Sequence, residues 1–488
     1  MTKVIFGTSG HRGIIGDTFT NNHVQAVAYA VASFLKTINS SPTCIIGFDP
    51  RDGNDPELNK GSFTKTCIDT LNEFGINTIS YNQSVPTPFI SWAITHFNYD
   101  GGLILTASHN PKEYNGIKFN PKNGAPAPKK ITEKIELTAN NFMTHPISTT
   151  SPKGTHKTIS PPLNKFCNSL IKNTEKIGIS IPKTFSNTLT IDVKHGACAN
   201  TWNELAKQLN LNITIKNAKP KSDFNNIEPN PTKYNFLPLP SNSDYFTCAN
   251  DPDGDRHAVI SKNKNIISPE EITAIILDYL INQNQTIASV TSTVASSHLI
   301  KFICNEHNIT YNETEVGFKY FAPYLTKAKQ KNEISLAVES SGGFSSSHHT
   351  LEKCGFYPII CLLSILENKK ITIDEAKSVI LKKYKTRLFI ETTFDFLPEQ
   401  KIHLNSFFKL TKNKLESLLQ NPIKTINQID GLKLIFEKDN WLLLRLSGTE
   451  PVCRIYVETK TQKINDQLIK EIKKTLTNLI KRSTLNSE

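Results

Sequence analysis

No apolar run in the 488 residues approaches the ~18 that a membrane-spanning helix needs; the nearest, from Tyr357 to Leu366, contains a proline and a serine. The first residues show no basic stretch followed by an apolar segment and a small-residue cleavage site, which predicts no signal peptide. Cysteine is sparse: nine, an odd number, lie scattered from Cys44 to Cys453 without a C-x-x-C pair. That pattern fits a reducing, cytoplasmic setting in which most thiols are packed inside. There is no Walker A sequence and no G-x-G-x-x-G fingerprint, which argues against a nucleotide-driven or dinucleotide enzyme. A Gly-x-Ser-x-Gly elbow is also missing, and with it the support for an acyl-transfer hydrolase.

What is present is enough to bury cores: 38% of residues are hydrophobic and 20% charged. At ~150 residues per domain the length predicts several domains. Lys and Arg number 56 against 44 Asp and Glu, so 56 − 44 gives a formal charge of +12, which suits anionic partners. The lysines are interspersed with Asn, Thr and Ser, the pattern of a solvated face, so no nucleic-acid partner is expected. A phosphorylated small molecule would use the same field.

Six short β-branched or apolar runs each end in a polar turn: Cys44–Arg51, Leu103–Asn110, Leu189–Gly196, Tyr245–Asp253, Ile287–Thr293 and Ser335–Gly342. Read as strands followed by helices, they predict parallel α/β sheets, whose ligands sit beyond the carboxyl ends of the strands. Residues from about Asn140 to Pro162 lack periodicity and read as a linker. A second break follows Ile260, before a helix start with Ser268 as N-cap and Pro269 in the first turn. The last hundred residues read as α+β. They carry strands at Leu388–Phe396, Leu432–Phe436, Trp441–Leu446 and Arg454–Glu458, and a closing amphipathic helix with Ile464, Leu468, Ile472, Leu476 and Leu479 on its packing face. The expected units are residues 1–150, 160–260, 261–384 and 385–488.

Asp251-Pro-Asp253-Gly-Asp255-Arg256 sets three carboxylates at i, i+2 and i+4 after a strand, a spacing that lets them converge on a hard, oxygen-loving cation. An EF-hand is excluded, since Arg256 and Lys262 occupy the places of its Gly and Glu. Thr106-Ala-Ser108-His109-Asn110-Pro111 presents a serine from a tight turn, as a nucleophile or phosphate carrier or as a loop residue bonding its own backbone. Arg445-Leu-Ser447-Gly448-Thr449-Glu450-Pro451, with Arg454, combines guanidinium forks, hydroxyls and a glycine into a phosphate cradle. Gly7–Gly13, Asp49-Pro-Arg51 and Glu339–Gly343 are weaker signals that complete the constellation.

In motif order over essentially its full length, the sequence resembles the α-D-phosphohexomutases, the phosphoglucomutases and phosphomannomutases. Gly7–Gly13 is similar to the family's opening loop, Thr106–Pro111 to its phosphoserine loop, Asp251–Arg256 to its metal loop, Glu339–Gly343 to its sugar loop and Arg445–Pro451 to its phosphate loop. The resemblance implies a four-domain architecture around a central cleft, three mixed α/β domains and a smaller α+β C-terminal one. It implies phosphorylation of Ser108 and Mg²⁺ held by Asp251, Asp253, Asp255 and a phosphoserine oxygen. A hexose 1,6-bisphosphate serves as activator and intermediate.

By family position Lys118 and Arg12 would serve proton transfer and His109 would orient the serine loop. Glu339, Ser341 and Lys319 would bind the sugar, and Arg445, Ser447, Gly448, Thr449 and Arg454 would hold the distal phosphate. The expected activity interconverts hexose 1-phosphate and hexose 6-phosphate. Val316-Gly-Phe-Lys319, the opening loop and the run from Asn120 favour glucose phosphates, with mannose phosphates as a second substrate.

The chain departs from the pattern at Ser340 in the sugar loop and at Glu352-Lys353-Cys354-Gly355, with His348 and His349 only approximately at the position of a family histidine. Two rival readings stand beside the mutase: a phosphosugar phosphatase with Asp251 as nucleophile, and a noncatalytic phosphosugar or nucleic-acid binder.

Overall fold

The computed structural model describes residues 2–148, 152–233, 235, 244–447 and 451–484. Two compact units emerge, one of residues 1–291 with 317–380, the other of residues 292–316 with 381–488.

In the first unit a six-stranded sheet runs in the order His11–Ile14, Tyr114–Pro121, Gly101–Leu105, Thr43–Phe48, Asn77–Tyr81, His156–Ile159. The first two pairings are antiparallel and the rest parallel. The stretch read as a linker therefore contains an edge strand. His156–Ile159 is short and largely exposed, and backbone pairing with Asn77–Tyr81 rather than apolar burial holds it, so it left no hydrophobic pattern to read. A second sheet runs Ile266–Ile267, His257–Ile260, Asp244–Asn250, Thr188–Asp192, Ile213–Lys216. It continues past the expected break after Ile260, because Ile266–Ile267 turns back to pair with Val259 and Ile260. Ser268 then caps the helix Pro269–Asn282 through a reciprocal capping box with Glu271. That helix packs against Tyr357–Lys369, the apolar run of the sequence, which is buried through most of its length.

The six runs are strands, but they divide into two kinds. Thr43–Phe48, Thr188–Asp192 and Ile287–Thr293 lead into helices, as the alternation predicts. Gly101–Leu105, Asp244–Asn250 and Ile334–Val338 instead turn into antiparallel neighbours, Tyr114–Pro121, His257–Ile260 and Phe344–Ser346. The sheets are thus mixed rather than parallel. The three strand-to-strand turns are the serine, metal and sugar loops, and each is stiffened by a ladder on both sides.

The second unit contains an antiparallel sheet in the order Leu388–Asp395, Val452–Thr459, Trp441–Leu446, Leu432–Phe436, Ile423–Asn427. Its core gathers Leu434, Leu442, Ile455 and Val457 with Leu468, Ile472 and Leu476 of the closing helix Gln462–Thr484. The helix face is rotated from the expected one. Ile464 is 36% exposed, while Asn465 is fully buried and donates to the Leu388 carbonyl, and Ile480 joins the core. All nine cysteines are buried and free. No helix among the described residues is long and apolar enough to cross a membrane.

Candidate active site

Ser108 is fully buried in the turn between two ladder-paired strands, and its backbone has φ +54°, the left-handed region that non-glycine residues seldom occupy. The turn is held by Arg51. Its guanidinium donates to the carbonyls of Ser108 and Asn110 through Nη2 (2.6 and 2.7 Å) and to those of Pro111 and Tyr114 through Nη1 (2.8 and 2.7 Å). Nε donates to Asp49 Oδ2 at 3.0 Å, and that oxygen also accepts from the Thr106 hydroxyl at 2.7 Å. Arg51 and Asp49 are fully buried, so this is a charge pair whose donors are spent on the backbone of one loop. The role of Asp49-Pro-Arg51 as a clamp was invisible in its spacing, because the carbonyls it grips lie about sixty residues on.

The serine hydroxyl donates to Asp251 Oδ2 at 2.7 Å. Asp251, Asp253 and Asp255 each offer an oxygen within 4.8 Å of the others, and all three are fully buried. Gly254, with φ +69°, makes the turn that brings the second and third together; a Cβ there would meet Cys198 Sγ at 2.7 Å. Asp253 is anchored from the helix Thr87–His96, whose Thr87 hydroxyl donates to Oδ2 at 2.7 Å. Burial, then repulsion from Asp253 and Asp255, holds the Asp251 carboxyl well above the usual carboxylate range. Burial pushes Asp253 and Asp255 the same way, but Lys118 and, for Asp255, Lys353 and Arg256 outweigh it and leave both below their ordinary values.

The donor set fits the implied Mg²⁺: three carboxylates, oxygen only, with Asp253 Oδ1 buried and without a hydrogen-bond partner. Both Asp251 oxygens are engaged, Oδ2 by Ser108 and Oδ1 by the Arg256 amide at 3.0 Å. This weighs against Asp251 as a phosphatase nucleophile.

Lys118 reaches the same cluster from the strand after the serine loop, donating to Asp253 at 2.6 Å and Asp255 at 2.9 Å. Burial lowers its pKa, but the two carboxylates more than offset that and hold the proton on. Arg12 donates to Asn110 Oδ1 at 2.6 Å, and burial followed by repulsion from Arg256 brings it down to about 10, still a cation at neutral pH. His109 lies with Nδ1 3.4 Å from the Ser108 hydroxyl. Burial, then Arg256 and Arg12, drive its pKa well below the ordinary value, so the ring is neutral.

The sugar loop is tied to this cluster. The Gly342 carbonyl accepts from the His257 amide at 3.0 Å, and a Cβ at Gly342 would meet the His257 carbonyl at 2.4 Å, so only glycine with its φ of +91° fits. Glu339 is 5% exposed and accepts from the Ser341 hydroxyl at 3.4 Å. Lys353 Nζ lies 3.3 Å from Asp255 Oδ1, giving the divergent Glu352-Lys353 pair a place at the metal loop that its motif did not foretell. Lys319 donates to the Gly7 carbonyl at 3.5 Å and, with Lys118, lines a recess of the opening loop.

His348 and His349 line a different cleft, which shares no residue with the serine and carboxylate cluster. Arg445, Ser447 and Arg454 lie in the second unit, where Arg445 Nε donates to Asp430 at 2.7 Å and Arg454 to Glu391 at 3.1 Å. Gly448 and Thr449 lie outside the described residues.

Four family models match the chain in order: phosphoglucomutase/phosphomannomutase alpha/beta/alpha domain I over residues 3–144, domain II over 164–264, domain III over 268–384 and the C-terminal domain over 408–475. Among curated proteins, a phosphoglucomutase of Komagataeibacter xylinus is 27% identical, the match covering 94% of this chain and 87% of the relative. A phosphoglucosamine/phosphogalactosamine mutase of Sulfurisphaera tokodaii is also 27% identical, over 96% and 98%. Among solved structures, a phosphoglucomutase/phosphomannomutase family protein of Burkholderia thailandensis superposes with a TM-score of 0.74 at 17% identity, over 97% of each chain, a likeness of fold.

Proposed function

The chain belongs to the phosphoglucomutase/phosphomannomutase family and is a phosphohexomutase, an intramolecular phosphotransferase; from that premise we propose that it interconverts glucose 1-phosphate and glucose 6-phosphate through a phosphorylated Ser108, with mannose phosphates as a second substrate. The observation that carries the serine's role is its hydroxyl, buried and in a left-handed turn, 2.7 Å from one of three clustered carboxylates. Preference for glucose rests on the opening loop, Val316–Lys319 and the run from Asn120.

Phosphoryl transfer of this kind asks mainly for positioning and charge stabilisation. Asp251, Asp253, Asp255 and an oxygen of phosphorylated Ser108 would hold Mg²⁺, whose charge stabilises the transferring group. Arg51 keeps the serine turn fixed, so the phosphorus–oxygen bond to Ser108 breaks as one to a sugar hydroxyl forms without loop rearrangement. Arg12 supplies positive charge beside the loop through Asn110. Lys118 is the proton carrier: held charged by Asp253 and Asp255, it would give a proton to the Ser108 oxygen as it leaves and take up the one lost by the attacking hydroxyl. Glu339, Ser341 and Lys319 bind sugar hydroxyls, while Arg445, Ser447, Gly448, Thr449 and Arg454 take the phosphate that is not reacting. The hexose 1,6-bisphosphate reorients between the two transfers.

The test is incubation of the purified protein with Mg²⁺, glucose 1-phosphate and a trace of glucose 1,6-bisphosphate, following glucose 6-phosphate and mapping phosphate on the protein. Product together with phosphate at Ser108 is expected. Inorganic phosphate with modification at Asp251 would establish the phosphatase instead. Turnover of amino-sugar phosphates in preference to glucose phosphates would overturn the substrate assignment alone.

A further inference from the structure

The first unit holds a second cleft, of about 690 Å³, a size suited to a small metabolite rather than a bare ion. Its walls come from the C-terminal ends of three helices, Thr87–His96, Leu163–Lys176 and Ala322–Gln330, and from the segment that carries His348 and His349. Among the described residues no aspartate or glutamate lines it, whereas Lys176 and Lys329 both do, from different helices. The Lys329 ammonium is pushed down by desolvation and then by Lys176; burial followed by Lys176 and Lys329 lowers His348, and burial followed by Lys329 lowers His349. The shifts report one geometry: two exposed ammonium groups on different helices, close enough to repel, with no described carboxylate lining the cleft between them.

His349 supplies an independent observation. It is 4% exposed, with its ring stacked on Tyr357 at a centroid distance of 4.5 Å. Asn173 Nδ2, itself buried, lies 3.2 Å from His349 Nδ1 and donates to it, which places the ring hydrogen on Nε2. That Nε2 is buried in the cleft wall and has no hydrogen-bond partner in the protein. A buried donor without an acceptor, in a wall shared with two exposed ammonium groups, is a half-made anion contact.

We propose that this cleft is a noncatalytic binding site for a small phosphorylated metabolite, whose phosphate oxygens accept from His349 Nε2 and pair with Lys176 and Lys329. The hydroxyl and amide side chains that complete the lining, among them Ser169 and Asn332, suit the polar remainder of such a molecule. The cleft needs no part of the mutase site, so the proposal stands or falls separately from the assignment of the reaction.

Pyrophosphate serves as the probe. The whole protein is trace-acetylated with and without it, and each lysine is quantified by mass spectrometry. Lys176 and Lys329 are expected to react about tenfold more slowly in its presence, with Lys130, exposed on another helix, unchanged. Trp92 lines the cleft while Trp202 and Trp441 are fully buried, so intrinsic fluorescence gives a second readout. In the double variant Lys176→Ala, Lys329→Ala the pyrophosphate concentration for half-response should rise about tenfold or more, with mutase KM unaltered. Unchanged acetylation of both lysines, or the same half-response in the double variant, would overturn the site. Equal protection by citrate at matched ionic strength would overturn its assignment to phosphate.

Discussion

The serine loop and the Arg445–Arg454 segment each link a pair of antiparallel strands, yet their charged side chains are held in different ways. Around Ser108 a fully buried Arg51 spends five hydrogen bonds on Asp49 and four carbonyls, so the serine turn is fixed without any ligand. In the second unit Arg445 forms a half-buried pair with Asp430, and Arg454 pairs with Glu391 at an exposed site where such a pair is worth little. The difference separates two demands. Under the proposed reaction, a transferring phosphoryl group would need its partners preorganised, whereas a cradle for the phosphate that is not reacting would need charge that a ligand can take over.

The largest effect should come from Ser108→Ala, which keeps the clamp but removes the acceptor of phosphate. Conversion of glucose 1-phosphate should fall on the order of 10³-fold or more, with a single cooperative melting transition retained. Retention of full activity would move the search to another residue. Next, Arg51→Met should destabilise the fold by about 3–5 kcal/mol in denaturant titration, because it strands a buried Asp49 and four carbonyls. It should also lower kcat. A loss below about 1 kcal/mol would mean that the loop is held by its strands alone, and the comparison would fail.

A pH signature accompanies the buried cluster. Burial, opposed by Lys118, raises Glu352 to about 7, against an ordinary value of 4.5. Between those values the folded chain keeps a proton that the unfolded chain has lost, so stability present below pH 4.5 declines as pH rises through 7. Glu352→Gln should flatten that slope and add on the order of 2–3 kcal/mol at pH 8, read by denaturation at several pH values. An unchanged slope would place the titration elsewhere.

The chemical loops could be read from sequence because reactive residues cluster locally: Ser108 with His109, and Asp251 with Asp253 and Asp255. What they turn into could not. Apolar runs such as Leu103–Leu105 report burial on both faces, and that is equally true of a strand feeding a helix and one feeding an antiparallel neighbour. Long-range partners were hidden for the same reason, as with Arg51 and the carbonyls of Ser108 to Tyr114, or Lys353 and Asp255. On the closing helix the pattern favoured Ile464 over Asn465, but the helix buries Asn465, whose amide donates to the Leu388 carbonyl, a partner far away in sequence.

The smallest effect tests the other half of the comparison. Arg445 forms a half-buried ion pair with Asp430, so Arg445→Ala should cost on the order of 1–2 kcal/mol of stability, less than the loss at Arg51. If the hairpin binds the phosphate that is not reacting, its guanidinium contributes to ground state and transition state alike. KM for glucose 1-phosphate should then rise about tenfold while kcat changes little. Equal losses in kcat and kcat/KM would instead mean that Arg445 acts only at the transition state. The division between a rigid reacting loop and an adaptable cradle would then give way to two preorganised ones.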